Sequence, residues 1–175
     1  MTEGMTAVRD AIRDVPDFPH PGIVFKDITP VLQDPALFAT VIEALVSRYR
    51  NRDIDQVLAV ESRGFIFGAP VATAIGTGFV PMRKPGKLPY ETHSESYDLE
   101  YGSETMEIHV DGVRPGDRVV IIDDLLATGG TAEASLKLAR KLGAEVIELA
   151  FMVELGFLNG RRRLPDVPVH SLIVF

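Results

Sequence analysis

Two adjacent carboxylates, Asp123 and Asp124, stand just ahead of a run of small residues, Ala127-Thr128-Gly129-Gly130-Thr131. That order points to a definite chemistry. Gly129 and Gly130 lack a Cβ, so the backbone there can wrap closely round a phosphate. Apolar residues at Ala132, Leu136, Ala139 and Leu142 make the following segment a helix. A helix N-terminus offers unpaired amides and the positive end of a dipole, both favourable to an anion. The same anion would be repelled by the two aspartates, which therefore need another partner on the ligand. Ribose hydroxyls, which donate to carboxylates, and a nearby Mg2+ both fit. The implied ligand is a ribose 5-phosphate unit, with its phosphate in the glycine turn and its sugar hydroxyls on the acids.

The elements that must hold these groups are legible on either side. Val119-Val120-Ile121-Ile122 reads as a fully buried strand with the acids at its end. A second strand, Val57-Leu58-Ala59-Val60, runs into Glu61-Ser62-Arg63-Gly64 and then a helix over 65–75 stopped by Gly76. This is another strand-to-helix turn suited to an anion, and Arg63 can grip a phosphate bidentately. Gly76-Thr77-Gly78 precedes a strand, where a nucleotide cradle must follow one, and so reads as a turn. After a third strand at 79–83, residues 84–104 are dense in Pro, Gly, Ser, Glu and Tyr. A loop of that length in a compact domain is commonly functional, and a lid is expected. Arg83, Lys84 and Lys87 at its start can neutralise an anionic ligand.

The rest of the chain supplies scaffold. Met5, Val8 and Ile12 share one side of a helix over 5–14. Pro16, Pro19 and Pro21 then impose an extended path ahead of the apolar Ile23, Val24 and Phe25. Asp34-Pro35 starts a helix that runs to Tyr49. Further strands are expected at 105–110, 146–153 and 169–175. Strands alternating with helices specify an α/β fold: a mostly parallel sheet flanked by helices, with ligands at the carboxyl ends of the strands. The 175 residues suit one domain, 1–175. A net charge of −7 argues against nucleic acid as a partner. No apolar stretch or leader suggests a membrane, and the expected location is cytoplasmic. The absence of cysteine leaves no disulfide or thiolate nucleophile. His20, His93, His109 and His170 have no zinc spacing. Arg161-Arg162-Arg163 reads as a solvated face.

The stretch from Val119 to Thr131, with its hydrophobic strand, both acids and Thr-Gly-Gly-Thr turn, resembles the phosphoribosyl-pyrophosphate motif of the type I phosphoribosyltransferases. Three further segments resemble adenine phosphoribosyltransferases: Pro16-Asp17-Phe18-Pro19 through Ile28, Glu61-Ser62-Arg63-Gly64-Phe65, and Arg83-Lys84 through Gly102. The resemblance covers nearly the whole chain from Pro16. It implies transfer of a phosphoribosyl group to adenine, giving AMP and pyrophosphate, with Mg2+ as cofactor held mainly through the substrate. It also implies an N-terminal hood over about 1–34, where Phe25 stacks on the base and Val24 and Lys26 give backbone contacts. Glu61, Ser62, Arg63, Arg83, Lys84 and Lys87 fall at the pyrophosphate, and Ala127, Thr128, Gly129, Gly130 and Thr131 at the 5-phosphate. Asp123 and Asp124 fall at the ribose, and Glu100 is assigned to the proton of adenine. A homodimer is implied as well. The alternatives are a phosphoribosyltransferase for xanthine or hypoxanthine, which the hood sequence disfavours, and a non-catalytic nucleotide sensor of the same fold.

Overall fold

A computed structural model of the chain describes residues 3–99 and 102–175. The backbone forms two compact units, Met1–Ser47 and Arg48–Phe175. The first opens with helix α1 (Glu3–Ala11), where Met5 and Val8 are buried as their spacing requires. The proline-rich stretch is less of a bare arm than it reads. Strands β1 (Arg13–Pro16) and β2 (Val24–Asp27) pair antiparallel with Val15 opposite Phe25. Pro16 closes the first strand, a position that wastes no ladder donor. Cross-strand ion pairs join Arg13 to Asp27 at 2.7 Å and Lys26 to Asp14 at 2.5 Å. The Thr29 hydroxyl, then its amide, then Arg13 draw the Asp27 carboxyl down to about 2. A short helix α2 (Thr29–Gln33) follows. Helix α3 (Pro35–Tyr49) starts where expected, Asp34 Oδ1 accepting from the amides of Ala36 at 2.8 Å and Leu37 at 3.1 Å.

The larger unit is a five-stranded sheet, every neighbouring pair parallel. Its strands are β3 (Gln56–Val60), β4 (Gly78–Met82), β7 (Arg118–Leu126), β8 (Glu145–Glu154) and β9 (Val169–Val174). They lie in the order β4-β3-β7-β8-β9. Helix α4 (Arg63–Ile75) carries β3 outward to β4, and helix α5 (Gly130–Lys141) carries β7 outward to β8. The two crossovers leave the centre in opposite directions, so right-handed connections put the helices on opposite faces. Between β3 and β7 the order reverses, and there the carboxyl ends of two strands open a crevice that no connection covers.

Between β4 and β7 lies an antiparallel hairpin, β5 (Thr92–Leu99) and β6 (Gly102–His109), packed against α5. The stretch 84–104, read from its composition as a loop, is strand over the described residues 92–99 and 102–104. Paired residues such as Ser96 and Thr105, whose hydroxyls are 2.8 Å apart, hold it as a ribbon. Turn-rich composition concealed this because the β5 ladder is made by β6, not by the residues of β5 themselves. Tyr97, Met106 and Ile108 from the hairpin join Leu136, Leu138 and Ala139 of α5 and Val119 and Ile121 of β7 in one buried cluster. Burial of that apolar face seats the hairpin beside the crevice.

Candidate functional site

Most of the residues singled out at the sugar-phosphate end line one crevice of about 510 Å³. Glu61, Ser62, Arg63, Lys84, Lys87, Asp123, Asp124 and the whole turn from Ala127 to Thr131 line it. Arg83 stands behind the wall, its Nη1 donating to the Lys87 carbonyl at 3.1 Å. Val24, Phe25 and Lys26 lie on β2 in the N-terminal unit, with Phe25 edge-to-face on Phe18 at 5.2 Å. Glu100 falls outside the described residues.

The acids are not at the strand's end. They belong to β7, which continues through Leu125 and Leu126 and pairs with β8 as far as Glu154. Strand geometry sends alternate side chains to opposite faces, and it holds the pair more rigidly than a loop would. Asp124 is 6% exposed and takes an ion pair from Arg63 Nε. Asp123 Oδ1 accepts the Asp124 amide at 2.9 Å. Burial, then the charge of Asp124, push the Asp123 carboxyl well above the ordinary carboxylate range, with Arg63 offsetting part of that. A hydroxyl donor or a cation placed against Asp123 would offset that burial and repulsion.

Gly64 explains how Arg63 reaches Asp124. A Cβ on Gly64 would lie 2.8 Å from the Ile122 carbonyl oxygen and 3.0 Å from Asp123 Oδ1. Glycine alone lets the first turn of α4 press onto β7 directly below the acids. The Glu61–Ser62 peptide ahead of it is cis.

At the other wall, Gly129 is the N-cap of α5 with φ +88°, and no side chain caps the helix. The amides of the first turn therefore need a partner from outside the helix. A Cβ on Gly129 would stand 2.5 Å from the carbonyl oxygen of Gly160, and a Cβ on Gly160 would collide with the carbonyl of Ala127. The turn 127–131 thus rests on a second backbone segment from beyond β8. Arg161 pins that segment: it reaches Glu154 with two nitrogens, at 2.7 and 2.6 Å, and the Val169 carbonyl at 2.8 Å. Arg161, followed by burial and Ser171, governs Glu154, and the balance lies below the ordinary carboxylate range. Arg163 binds Glu133 at 3.2 Å. The arginine run is therefore partly structural, not wholly a solvated face.

Sequence reasoning missed Tyr97 and Glu104, which also line the crevice. Tyr97 is 7% exposed; its hydroxyl donates to Glu104 at 2.8 Å and accepts from Thr131 Oγ1 at 3.0 Å. Burial, set against the Thr131 hydroxyl and joined by Glu104, pushes the Tyr97 hydroxyl up to about 12. Glu104 also takes Lys84 Nζ at 2.9 Å. The polar-apolar alternation of 105–110 marked part of β6, but only the strand register sets Tyr97 opposite Glu104.

An anion cradle, a carboxylate pair and a cation cluster around one crevice suit a ligand with two phosphate ends and a sugar between them. Comparison with known proteins gives the same direction. The family model for the phosphoribosyl transferase domain matches residues 27–170. The chain is 58% identical to the adenine phosphoribosyltransferase of Anaeromyxobacter dehalogenans over 98% of its own length and 99% of that protein's. Among solved structures it superposes on the adenine phosphoribosyltransferase of Thermoanaerobacter pseudethanolicus with a TM-score of 0.94 at 53% identity, covering 98% of this chain and 99% of that one. On the Saccharomyces cerevisiae enzyme, solved with an imino-altritol bisphosphate and adenine, the TM-score is 0.93 at 40% identity, with 98% and 99% covered. With its motifs, topology and full-length likeness in agreement, the chain belongs to the phosphoribosyl transferase family, and within it to the adenine phosphoribosyltransferases.

Proposed function

We propose a division of labour within the crevice for the reaction of an adenine phosphoribosyltransferase, a pentosyl transfer of purine salvage in which adenine and phosphoribosyl pyrophosphate give AMP and pyrophosphate. The observation that carries it is the opposition, across one crevice, of an uncapped helix N-terminus and a cluster of cations with two aspartates between them. The 5-phosphate lies against the amides and hydroxyls of Ala127, Thr128, Gly129, Gly130 and Thr131. The ribose hydroxyls donate to Asp123 and Asp124. The diphosphate faces Ser62, Arg63, Lys84 and Lys87.

The C1–oxygen bond to pyrophosphate breaks with positive charge developing on the sugar, and N9 of adenine takes C1. The pyrophosphate leaves with the bond's electron pair, and the N9 proton passes to a base, the role given to Glu100. No covalent nucleophile is needed. The chain contributes by fixing both ends of the ribose donor and by opposing the charge that builds on the leaving group. Val24, Phe25 and Lys26 orient the base, Phe25 by stacking.

Phosphoribosyl transferases use Mg2+ with phosphoribosyl pyrophosphate. Among the described residues no three acids or histidines gather into a cage. Mg2+ would be held mainly through the substrate, with Asp123 and Asp124 as the carboxylates able to face it. When bound, Mg2+ supplies charge neutralisation on the diphosphate. The reading extends to a homodimer, as the family resemblance implies, and to action in the cytoplasm. No described helix is long and apolar enough to cross a membrane.

The test is an assay with radiolabelled adenine, hypoxanthine, guanine and xanthine, each with phosphoribosyl pyrophosphate and Mg2+. AMP from adenine is expected as the dominant product. Preferential use of an oxopurine would overturn the base assignment and leave the sugar-phosphate site standing.

A further inference from the structure

Glu61 stands where β3 ends and the chain turns toward α4, with its side chain 9% exposed. It gathers donors from the segment that follows β4. Lys87 Nζ reaches its carboxylate at 2.5 Å, Arg83 Nε and Nη2 at 3.3 Å each, and the Lys84 amide at 3.0 Å. An ionised carboxylate has only acceptors, so it cannot hydrogen-bond a fully ionised phosphate. Burial raises the Glu61 carboxyl, yet Lys87, the Lys84 amide and Arg83 together bring it down to about 2. It is an anion at any working pH, set into the wall of a crevice meant for anions.

The cations divide by exposure and reach. Arg83 ties Glu61 to the Lys87 carbonyl and braces the segment. Lys84 gives its ammonium to Glu104 and only its backbone amide to Glu61. Lys87 lines the crevice with its side chain 48% exposed, while its ammonium has one acceptor on Glu61 and three donors to give.

We propose that Glu61 is a positioning residue for the leaving group: an internal counter-anion that holds Lys87 at the crevice wall before the ligand arrives, and competes with the diphosphate for that ammonium afterwards. This deepens the proposed function and rests on its assignment of that end of the crevice to the diphosphate. Glu61 fixes where the cation waits. Its charge also limits how tightly pyrophosphate is held, because every oxygen that recruits Lys87 does so against a carboxylate already in contact. Removing the charge removes the competitor.

The experiment titrates pyrophosphate with Mg2+ into the full-length protein and its Glu61→Gln and Glu61→Asp variants by calorimetry, with AMP titrated in parallel. Glu61→Gln is expected to bind pyrophosphate about fivefold tighter, corresponding to about 1 kcal/mol for a half-exposed ion pair. Glu61→Asp withdraws the carboxylate by one methylene and gives a smaller change of the same sign. It decides the matter should Glu61→Gln fail to fold. AMP affinity stays constant in both, whereas a merely structural defect would weaken the two ligands together. Equal or weaker pyrophosphate binding in the folded variants overturns the proposal. If the unaltered protein itself does not bind pyrophosphate, it is the assignment of that end of the crevice that fails.

Discussion

Gly129→Ala is a sharp test of how the phosphate turn is built. The variant adds one methyl group at a residue with φ +88°, where a Cβ would sit 2.5 Å from the Gly160 carbonyl oxygen. An unstrained carbon-to-oxygen approach is about 3.3 Å, so turn and supporting segment must separate by about 0.8 Å. The left-handed conformation itself costs an alanine about 1–2 kcal/mol. Gly116→Ala separates the two effects: its φ is +89°, but nothing lies within 4 Å of the added Cβ and the crevice is not involved. Gly116→Ala should therefore lose only the conformational term, a fall in Tm of about 2–8 °C for a chain of this size, with kcat/KM unchanged. Gly129→Ala should lose at least as much stability and, in addition, about a hundredfold in kcat/KM for phosphoribosyl pyrophosphate, the scale expected when reacting groups are displaced by about 1 Å. Calorimetric melting and AMP formation at varied phosphoribosyl pyrophosphate measure both. Equal activity in the two variants would refute the claim that Gly129 is a glycine because of Gly160.

Two other outcomes follow from the site's electrostatics. Asp124→Asn removes the neighbouring charge that helps push Asp123 up and the anion that Arg63 binds; turnover should fall about a hundredfold while Tm stays within about 3 °C, and near-normal kinetics would count against the ribose assignment. The depressed Glu61 carboxyl has a folded-state value of about 2 against an ordinary 4.5, so its contribution to stability is present above about pH 4.5 and is lost as pH falls toward 2. Urea unfolding should show the unaltered protein more stable than Glu61→Gln by about 1 kcal/mol at pH 6, a gap that narrows as pH falls from 5 to 3; a constant gap would mean that its charge does not stabilise the fold.

What could be read along the chain was whatever local rules decide. The buried strand 119–122, the Asp34 cap and the helix after Gly129 each follow from residues within a turn or two of one another. The alternation of strands with helices gave the parallel sheet, and the acid pair with its small-residue turn gave the ligand class. The strand pairing of β1 with β2 and of β5 with β6 was not legible, because in both cases one partner lies in a stretch rich in turn-formers and the ladder supplies what propensity lacks.

The deeper limit is distance along the chain. The residue types at 61, 87, 129, 160 and 161 are all visible in the sequence, and so is their chemistry as isolated groups. Only the fold sets Lys87 against Glu61, 26 residues away, and rests the phosphate turn on Gly160, whose position Arg161 fixes through Glu154. A motif specifies which functional groups a short segment carries, since bonded geometry fixes their spacing. Which of them are neutralised, supported or left facing a ligand depends on close packing between segments brought together by burial, and that is a property of the whole tertiary structure.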